Sequence, residues 1–226
     1  MITPINVLKK IPLFASLPEA DLQNLESLLR KETMRKGETL FRQGDEGTAL
    51  YLIIQGRIKI SVSRRMDSVT LAILGQGEFL GEMALLDGLP RSANAIALEE
   101  SHLYALNRGD FIPFLIHNKK AVDAVLSALS KRLRKTNDLL AEMCFLSLSV
   151  RLAQKLVELA ERQGPCEADP QEYRLEMSQQ EFGNVLGVSR ESINKELKPL
   201  RDKGIVSISR NCIHIHDLPY LKRRMP

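Results

Sequence analysis

The sequence of 226 residues lacks the features that mark several large classes of protein. Its three cysteines, Cys144, Cys166 and Cys212, are odd in number and far apart, which argues against a disulfide framework and for a reducing compartment. No uncharged run approaches the roughly 20 apolar residues that a membrane-spanning helix needs. Residues 1–18 lack the basic-then-apolar order of a signal peptide. We therefore expect a cytoplasmic protein without a membrane segment.

Signatures of catalysis and of redox clusters are also missing. The sequence contains neither a G-x-S-x-G elbow nor an H-E-x-x-H helix, and its four histidines are not grouped near a nucleophile. Three dispersed cysteines cannot supply the four thiolates of an iron–sulfur cluster. We predict that the protein is not an enzyme and has no cofactor. Cys166 is interpreted either as a redox-sensing thiol or as an incidental residue of a loop.

Charge and glycine content change along the chain. The formal net charge is only +4, with −1 over residues 1–115, +2 over 116–170 and +3 over 171–226. Nine of the 13 glycines lie between Gly37 and Gly109. The length is roughly one and a half typical domains, which favours two modest domains of different character.

The first half has the pattern of a β-domain that follows a short helix. Residues 18–31 place leucines at helical spacing. From Thr33 to Leu106, short apolar runs alternate with glycine-containing turns, which predicts an antiparallel sandwich or barrel. The predicted strands are residues 50–54, 58–62, 69–74, 95–98 and 103–106.

A long helix is predicted next, from Asn118 as N-cap to Cys144. The apolar residues of this helix follow strict heptad spacing, which favours a seam between two helices packed side by side. The other interpretation is a single helix whose apolar stripe faces the core. Thr136, its one polar member, either fixes the register of the seam or faces a ligand. The seam residues are Val122, Leu126, Leu129, Leu133, Thr136, Leu140 and Met143.

Residues 79–95 (FLGEMALLDGLPRSANA) hold the densest group of binding side chains. The start of a short helix after Gly81 exposes backbone N–H groups that suit a phosphate. Arg91 can neutralise that phosphate with a bidentate guanidinium, and Glu82 can accept a hydrogen bond from a sugar hydroxyl. The alternative is a weak surface ion pair between Glu82 and Arg91 on a sandwich loop.

Residues 81–85 (GEMAL) and 90–93 (PRSA) resemble, at this spacing, the phosphate-binding cassette of cyclic-nucleotide-binding β-rolls. The resemblance implies that Glu82 holds the ribose 2′-hydroxyl and that Arg91 and Ser92 hold the cyclic phosphate. The cassette residues Gly81 and Met83 are assigned to the same site.

With the long helix and the C-terminal segment included, nearly the whole chain is similar to the Crp/Fnr family of bacterial transcription regulators. In the cyclic-AMP receptor members of that family, the long helix brings a threonine and its neighbour to the adenine from both subunits. The resemblance therefore implies adenine contacts by Thr136 and Asn137, with Arg132 near the base and near Glu82.

Residues 177–200 predict two helices joined by a short turn. Helix signals run over residues 179–186, Gly187 turns the chain, and Ser189 caps a second helix. In a helix-turn-helix, the second helix enters the major groove of DNA. The alternative is a helical hairpin with an ordinary solvated face. The side chains predicted on the exposed face are Arg190, Glu191, Asn194, Lys195 and Lys198.

Residues 189–192 (SRES) resemble the recognition-helix signature of the same family. Lys195 stands where receptor proteins of this type often carry a second arginine, so the half-site preference is open at that position. The residues assigned to DNA contact are Ser178, Gln180, Ser189, Arg190, Glu191, Asn194 and Lys195.

Residues 205–215 alternate as the two strands of a wing. Cys212, His214 and His216 share one face of it and form either three metal ligands or a polar outer face. No fourth ligand at metal spacing is present, which favours the polar face and no metal. Residues 164–172 are predicted as an exposed loop, at the place where family activators contact RNA polymerase.

The sequence thus predicts an α+β chain with three parts. Residues 1–117 form a cyclic-nucleotide-binding β-roll (jelly roll), 118–146 a dimerisation helix and hinge, and 147–226 a winged helix-turn-helix domain. The expected function is a homodimeric regulator that binds cyclic AMP, an inverted-repeat operator in double-stranded DNA and RNA polymerase. The alternatives are another cyclic nucleotide or dinucleotide, no ligand, or a nucleotide-sensing module that acts on a protein partner.

Overall fold

The structure is a computed structural model that describes residues 8–9, 11, 14–15, 17–64, 67–166, 172–209 and 211–225. The chain folds into two compact units, residues 1–63 with 70–135 and residues 64–69 with 136–226. Residues 167–171 of the predicted exposed loop lie outside the described residues. No helix among the described residues is both long enough and apolar enough to cross a bilayer.

The first unit is a roll of two four-stranded antiparallel sheets, with strand orders β1-β8-β3-β6 and β2-β7-β4-β5. Its helices are α1 (Glu19–Leu28), α2 (Glu82–Asp87), α3 (Arg108–His117) and the first part of α4 (Lys119–Phe145). Its strands, of which residues 64 and 67–69 fall in the second unit, are β1 (Arg30–Met34), β2 (Thr39–Phe41), β3 (Ala49–Gln55), β4 (Ile58–Arg64), β5 (Asp67–Leu74), β6 (Phe79–Leu80), β7 (Asn94–Ala97) and β8 (Ser101–Asn107).

Two apolar clusters stabilise this roll. One joins Leu22 of α1, Leu50 of β3 and Phe111 of α3, all fully buried. The other contains Ile53 and Ile58, on strands of the two different sheets. The central strands β3 and β8 bury most of their side chains, which is the reason that short apolar runs in the sequence predicted them.

Helix α4 begins after Asn118, whose Oδ1 accepts a hydrogen bond from the N–H of Ala121 at 3.1 Å. Its first turns pack on the roll through the buried side chains of Ala121 and Val125. In the predicted seam, Val122 and Leu129 are partly buried against the core of the roll, whereas four other apolar members are exposed. The exposed fractions are 56% at Leu126, 63% at Leu133, 60% at Leu140 and 47% at Met143.

The second unit packs three main helices against a three-stranded antiparallel sheet of order β10-β11-β9. Leu156, Phe182, Ile193 and Ile213 are fully buried in its core. Its elements beyond α4 are α5 (Leu148–Gln163), β9 (Tyr173–Leu175), α6 (Gln179–Leu186), α7 (Arg190–Asp202), β10 (Val206–Ser209), β11 (Cys212–Ile215) and α8 (Leu218–Lys222).

Strands β2 and β6 were not predicted from the sequence, and three further details differ from the expectation. The first helix ends at Leu28 rather than continuing to residue 31, because residues 30–34 pair with β8 as strand β1. The wing has a third strand, β9, which pairs with β11. Cys212 is only 6% exposed, so it does not lie on a solvated outer face with the two histidines.

Gly183 allows α6 and the following turn to approach each other closely. A Cβ added to Gly183 would stand 2.7 Å from the carbonyl oxygen of Val188. We expect Gly183→Ala to lower the free energy of unfolding of the second unit by about 1–2 kcal/mol, since overpacking exceeds the gain in helix propensity. Scanning calorimetry measures the change.

Gly109→Ala is the matched control for that substitution. Gly109 also lies in a helix, α3, but no atom of the described part of the chain stands within 4 Å of the position of its added Cβ. Its melting temperature should stay unchanged or rise slightly. Equal melting temperatures for the two variants would show that the approach at Gly183 is not tight.

Candidate functional site

Arg91 is buried inside the first unit, with only 4% of its surface exposed. Its Nη1 donates to the carbonyl of Gly81 and its Nη2 to the carbonyl of Ala49, each at 2.7 Å. The guanidinium carbon lies 4.2 Å from the centroid of the Phe41 ring. Burial lowers the pKa of Arg91 from its ordinary value, and Tyr51, Glu82 and Asp45 oppose that shift. The buried Nε has no hydrogen-bond partner among the described residues.

Two glycines make room for this guanidinium. Gly81 has a φ of +85°, and an added Cβ would stand 2.5 Å from Nη1 of Arg91. An added Cβ on Gly47 would stand 2.3 Å from the Cβ of Ala84 and 3.5 Å from Cζ of Arg91. Gly81 is therefore required for the arginine to lie where it does, whereas Gly47 is required by the close approach of Ala84.

Glu82 is the first residue of α2 and is 1% exposed. Its Oε1 accepts a hydrogen bond from Nη1 of Arg132 on α4, and Nη2 of Arg132 donates to the carbonyl of Phe79. Its Oε2 is buried and has no partner among the residues that the structure describes. Glu82 is therefore a buried carboxylate paired with Arg132, and not half of a surface ion pair with Arg91.

These two side chains offer complementary hydrogen-bonding atoms. Oε2 of Glu82 is an acceptor suited to a hydroxyl, and Nε of Arg91 is a charged donor suited to an anion. A buried polar atom without a partner costs free energy unless a ligand or water satisfies it. A small molecule that carries hydroxyl and phosphate groups fits this chemistry.

The other residues assigned to this site differ in position. Met83 follows Glu82 in α2, and Oγ of Ser92 lies 3.8 Å from its Sδ. The structure thus brings Gly81, Glu82, Met83, Arg91, Ser92 and Arg132 together in the first unit. Thr136 and Asn137 lie one turn beyond Arg132 on α4, are exposed and belong to the second unit.

Three residues around Arg91 were not identified from the sequence. Ala49 supplies a carbonyl, and Phe41 and Tyr51 place rings 4.2 and 5.7 Å from the guanidinium carbon. In the sequence, Phe41 and Tyr51 look like the aromatic residues that are common in half-buried strands. Only their proximity to an arginine in the folded chain shows the second role.

The second unit contains the predicted helix-turn-helix. Ser189 caps α7, because its Oγ accepts from the N–H of Ser192 at 3.3 Å. Gly187 ends α6 with a left-handed φ of 69°. Ser178 forms a capping box with Glu181 at the start of α6, so its side chain already has a structural role.

The outer face of α7 carries the predicted polar side chains. Three of them are exposed, namely Arg190, Glu191 and Lys195, and Asn194 is half-buried. Gln180, on α6, is also exposed. Hydrogen bonds from its own backbone N–H and from Ser189 lower the pKa of Glu191 from its ordinary value. Glu191 is therefore an ionised acceptor at neutral pH, which is the form that can accept from the amino group of cytosine.

The two wing histidines face a carboxylate. Nδ1 of His214 lies 2.8 Å from Oε1 of Glu172, and Nε2 of His216 lies 2.8 Å from Oγ of Ser207. The two imidazole rings are nearly parallel, with centroids 6.4 Å apart. Within the described part of the chain, no three His, Cys, Asp or Glu side chains are grouped to hold a metal ion.

Comparison with known protein families gives two matches. Residues 31–118 match the cyclic nucleotide-binding domain, and residues 150–224 match the Crp-like helix-turn-helix domain.

Several relatives are similar over nearly their whole length. The cyclic AMP receptor protein of Thermus thermophilus is 30% identical over 95% of this chain and 97% of that protein. A CRP-like cAMP-activated global transcriptional regulator of Mycobacterium tuberculosis is 28% identical over 96% of this chain and 98% of that protein.

Solved structures share the fold. The c-di-GMP responsive global regulator CLP of Xanthomonas campestris superimposes with a TM-score of 0.78 at 22% identity, over 88% of this chain and 100% of that chain. A CRP/FNR family regulator of Thermus thermophilus gives a TM-score of 0.72 at 22% identity, over 86% of this chain and 97% of that chain.

The buried glutamate and arginine, the long helix and the winged helix-turn-helix therefore occur together in a chain that resembles these regulators from end to end. It is a Crp-like cyclic nucleotide-binding regulator with a helix-turn-helix DNA-binding domain, and it belongs to the Crp/Fnr family of transcription regulators.

Proposed function

We propose that this chain is a homodimeric, cytoplasmic transcription regulator that binds cyclic AMP in the β-roll and an inverted-repeat operator through α7. The main observation behind this proposal is that two buried atoms, Oε2 of Glu82 and Nε of Arg91, have no hydrogen-bond partner among the residues that the structure describes. A ribose 2′-hydroxyl can donate to the carboxylate, and a cyclic phosphate can accept from the guanidinium. Ser92 and the N–H groups around Gly81 and Met83 add donors for the phosphate.

The base is assigned to the polar positions of α4. Thr136 interrupts the apolar seam, and Asn137 follows it, so both polar side chains stand where two copies of α4 would meet. We propose that they contact adenine, with Arg132 holding the carboxylate of Glu82 in place. The similarity to a cyclic AMP receptor protein supports cyclic AMP as the ligand.

A cyclic dinucleotide is the second candidate ligand. The fold is shared with a regulator that is described as c-di-GMP responsive. Calorimetric titration with cyclic AMP, cyclic GMP and cyclic di-GMP distinguishes these ligands. If none of the three nucleotides binds, and operator affinity is the same with and without them, a regulator without a ligand is favoured.

We assign a separate function to each of the three predicted parts of the chain. Residues 1–117 bind the nucleotide, 118–146 join two copies and form the hinge, and 147–226 bind DNA. The nucleotide shifts the hinge at residues 145–147 and sets the two recognition helices about 34 Å apart, one turn of DNA. RNA polymerase is the proposed partner of the DNA-bound dimer.

Replacement of Arg91 tests the nucleotide site. Because Arg91 supplies the only proposed charge for the phosphate, Arg91→Ala should weaken cyclic AMP binding by about a hundredfold or more. Arg91→Lys should recover part of that loss, since it keeps the charge but not the fork. Isothermal titration calorimetry measures both, and circular dichroism checks the fold.

Arg57→Ala is the matched control in the same β-roll. Arg57 pairs with Glu99 at 2.8 Å on the surface, so its loss removes one arginine from an ion pair away from the pocket. Cyclic AMP affinity should stay within error of the unchanged protein. Wild-type affinity in a folded Arg91→Ala protein would disprove the assignment of this pocket.

Replacement of Leu133 tests the dimer. Leu133 is 63% exposed in the middle of the seam, and a charge at that position would be buried without a partner between two helices. We expect Leu133→Glu to elute with the mass of one chain in light scattering. Arg134→Glu, next to it and off the seam, should retain the mass of two, and two chains in both variants would contradict the seam.

Replacement of Glu191 tests base reading. Glu191→Ala removes one hydrogen-bond acceptor, so discrimination between bases at one operator position should fall by about 1–3 kcal/mol. Most of the affinity should remain, because phosphate contacts are kept. Selection of operators from a random duplex library measures the change. Glu196→Ala removes the same charge from α7 and should leave base choice unchanged. Uniform weakening on all duplexes by Glu191→Ala would contradict direct reading by this side chain.

A further inference from the structure

The turn between α6 and α7 is held by a side chain from a different helix. Leu186 is the last residue of α6, so its carbonyl accepts no hydrogen bond from within the helix. Nη1 of Arg151, on the first turn of α5, donates to that carbonyl at 3.2 Å. A cation at the C-terminal end of a helix is also favoured by the helix dipole.

This turn leads directly into the recognition helix. The N–H groups of Gly187 and Val188 both donate to the carbonyl of Gly183, and the turn approaches Gly183 too closely to admit a Cβ. Ser189 then caps α7 directly after the turn. A shift of Leu186 therefore changes the direction in which the first residues of α7 point.

The same turn touches the chain on both sides of the hinge. Cε of Met143, near the end of α4, lies 3.1 Å from the position that a Cβ on Gly187 would take. Arg151 lies after the hinge, beyond the N-cap Ser147 of α5. A change of angle at the hinge must therefore alter the contacts of the turn with Met143, with Arg151 or with both.

Arg151 uses little of its bonding capacity at this place. Its Nε is buried and has no partner among the described residues, although a guanidinium carries five N–H donors. An aliphatic side chain would pack there without an unsatisfied donor. Packing alone therefore does not explain why an arginine occupies this position. The directional hydrogen bond to the carbonyl of Leu186 does explain it.

We infer that Arg151 is a positioning residue, which ties the turn of the helix-turn-helix to the hinge and so sets the angle of the recognition helix. It touches neither nucleotide nor DNA. The inference rests on the proposed function, because it concerns how α7 is presented to an operator. It assigns to one side chain the step between the hinge and base reading.

Arg151→Gln and Arg151→Lys test this role in the full-length protein. Operators are first selected with the unchanged protein, and fluorescence anisotropy then measures binding to that operator and to a non-operator duplex, with saturating cyclic AMP. Arg151→Gln should lose about ten- to a hundredfold in operator affinity. Non-operator affinity should change by less than about threefold, because phosphate contacts are independent of base sequence.

Arg151→Lys should recover part of the operator affinity, since an ammonium can still reach one carbonyl. Arg162→Gln is the matched control, an exposed arginine at the far end of the same helix, and should change neither affinity. The cyclic AMP affinity of all variants should equal that of the unchanged protein.

The outcomes separate the two levels of the proposal. If the unchanged protein does not prefer its selected operator to other DNA, the proposed function is wrong. If it does and Arg151→Gln keeps the same preference, the inference is wrong. A parallel loss on both duplexes with a lower melting temperature would also overturn it, because Arg151 would then only stabilise the fold.

Discussion

Two buried charges of opposite sign organise the first unit. A buried ion is tolerated only when hydrogen bonds or a counter-charge replace its water. Arg91 satisfies this condition through the carbonyls of Gly81 and Ala49, and Glu82 through Arg132. These contacts connect β3, the start of α2 and α4, so the position of each element depends on where the charges lie. The absence of a side chain at Gly81 is the steric condition for the position of Arg91.

Helix α4 extends this constraint beyond the roll. Arg132, which holds Glu82, stands on the same continuous helix as the exposed seam leucines and as Met143 beside the helix-turn-helix turn. A helix of 27 residues is about 40 Å long. One helix thus contains both the arginine that pairs with the carboxylate and the methionine that lies beside the turn.

The sequence was most informative where a residue type has a fixed local meaning. Apolar runs between glycine-containing turns predicted the strands, Asn118 and Ser189 predicted helix starts, and Gly187 predicted the turn. It was least informative about direction. Nothing in the spacing shows that Arg91 turns toward the carbonyl of Ala49. Strand β9 was missed because three residues are too few to establish a period, and β1 because its charged residues resemble the preceding helix.

The guanidinium of Arg91 is already ordered before it meets an anion. Two carbonyls and the ring of Phe41 fix the long side chain in one conformation. A free arginine loses up to about 2 kcal/mol of rotamer entropy when it is immobilised. Folding of the roll has already supplied that ordering, so an arriving phosphate does not have to. The affinity of the pocket for its ligand is thus set partly by a preorganisation that no contact with the ligand reveals.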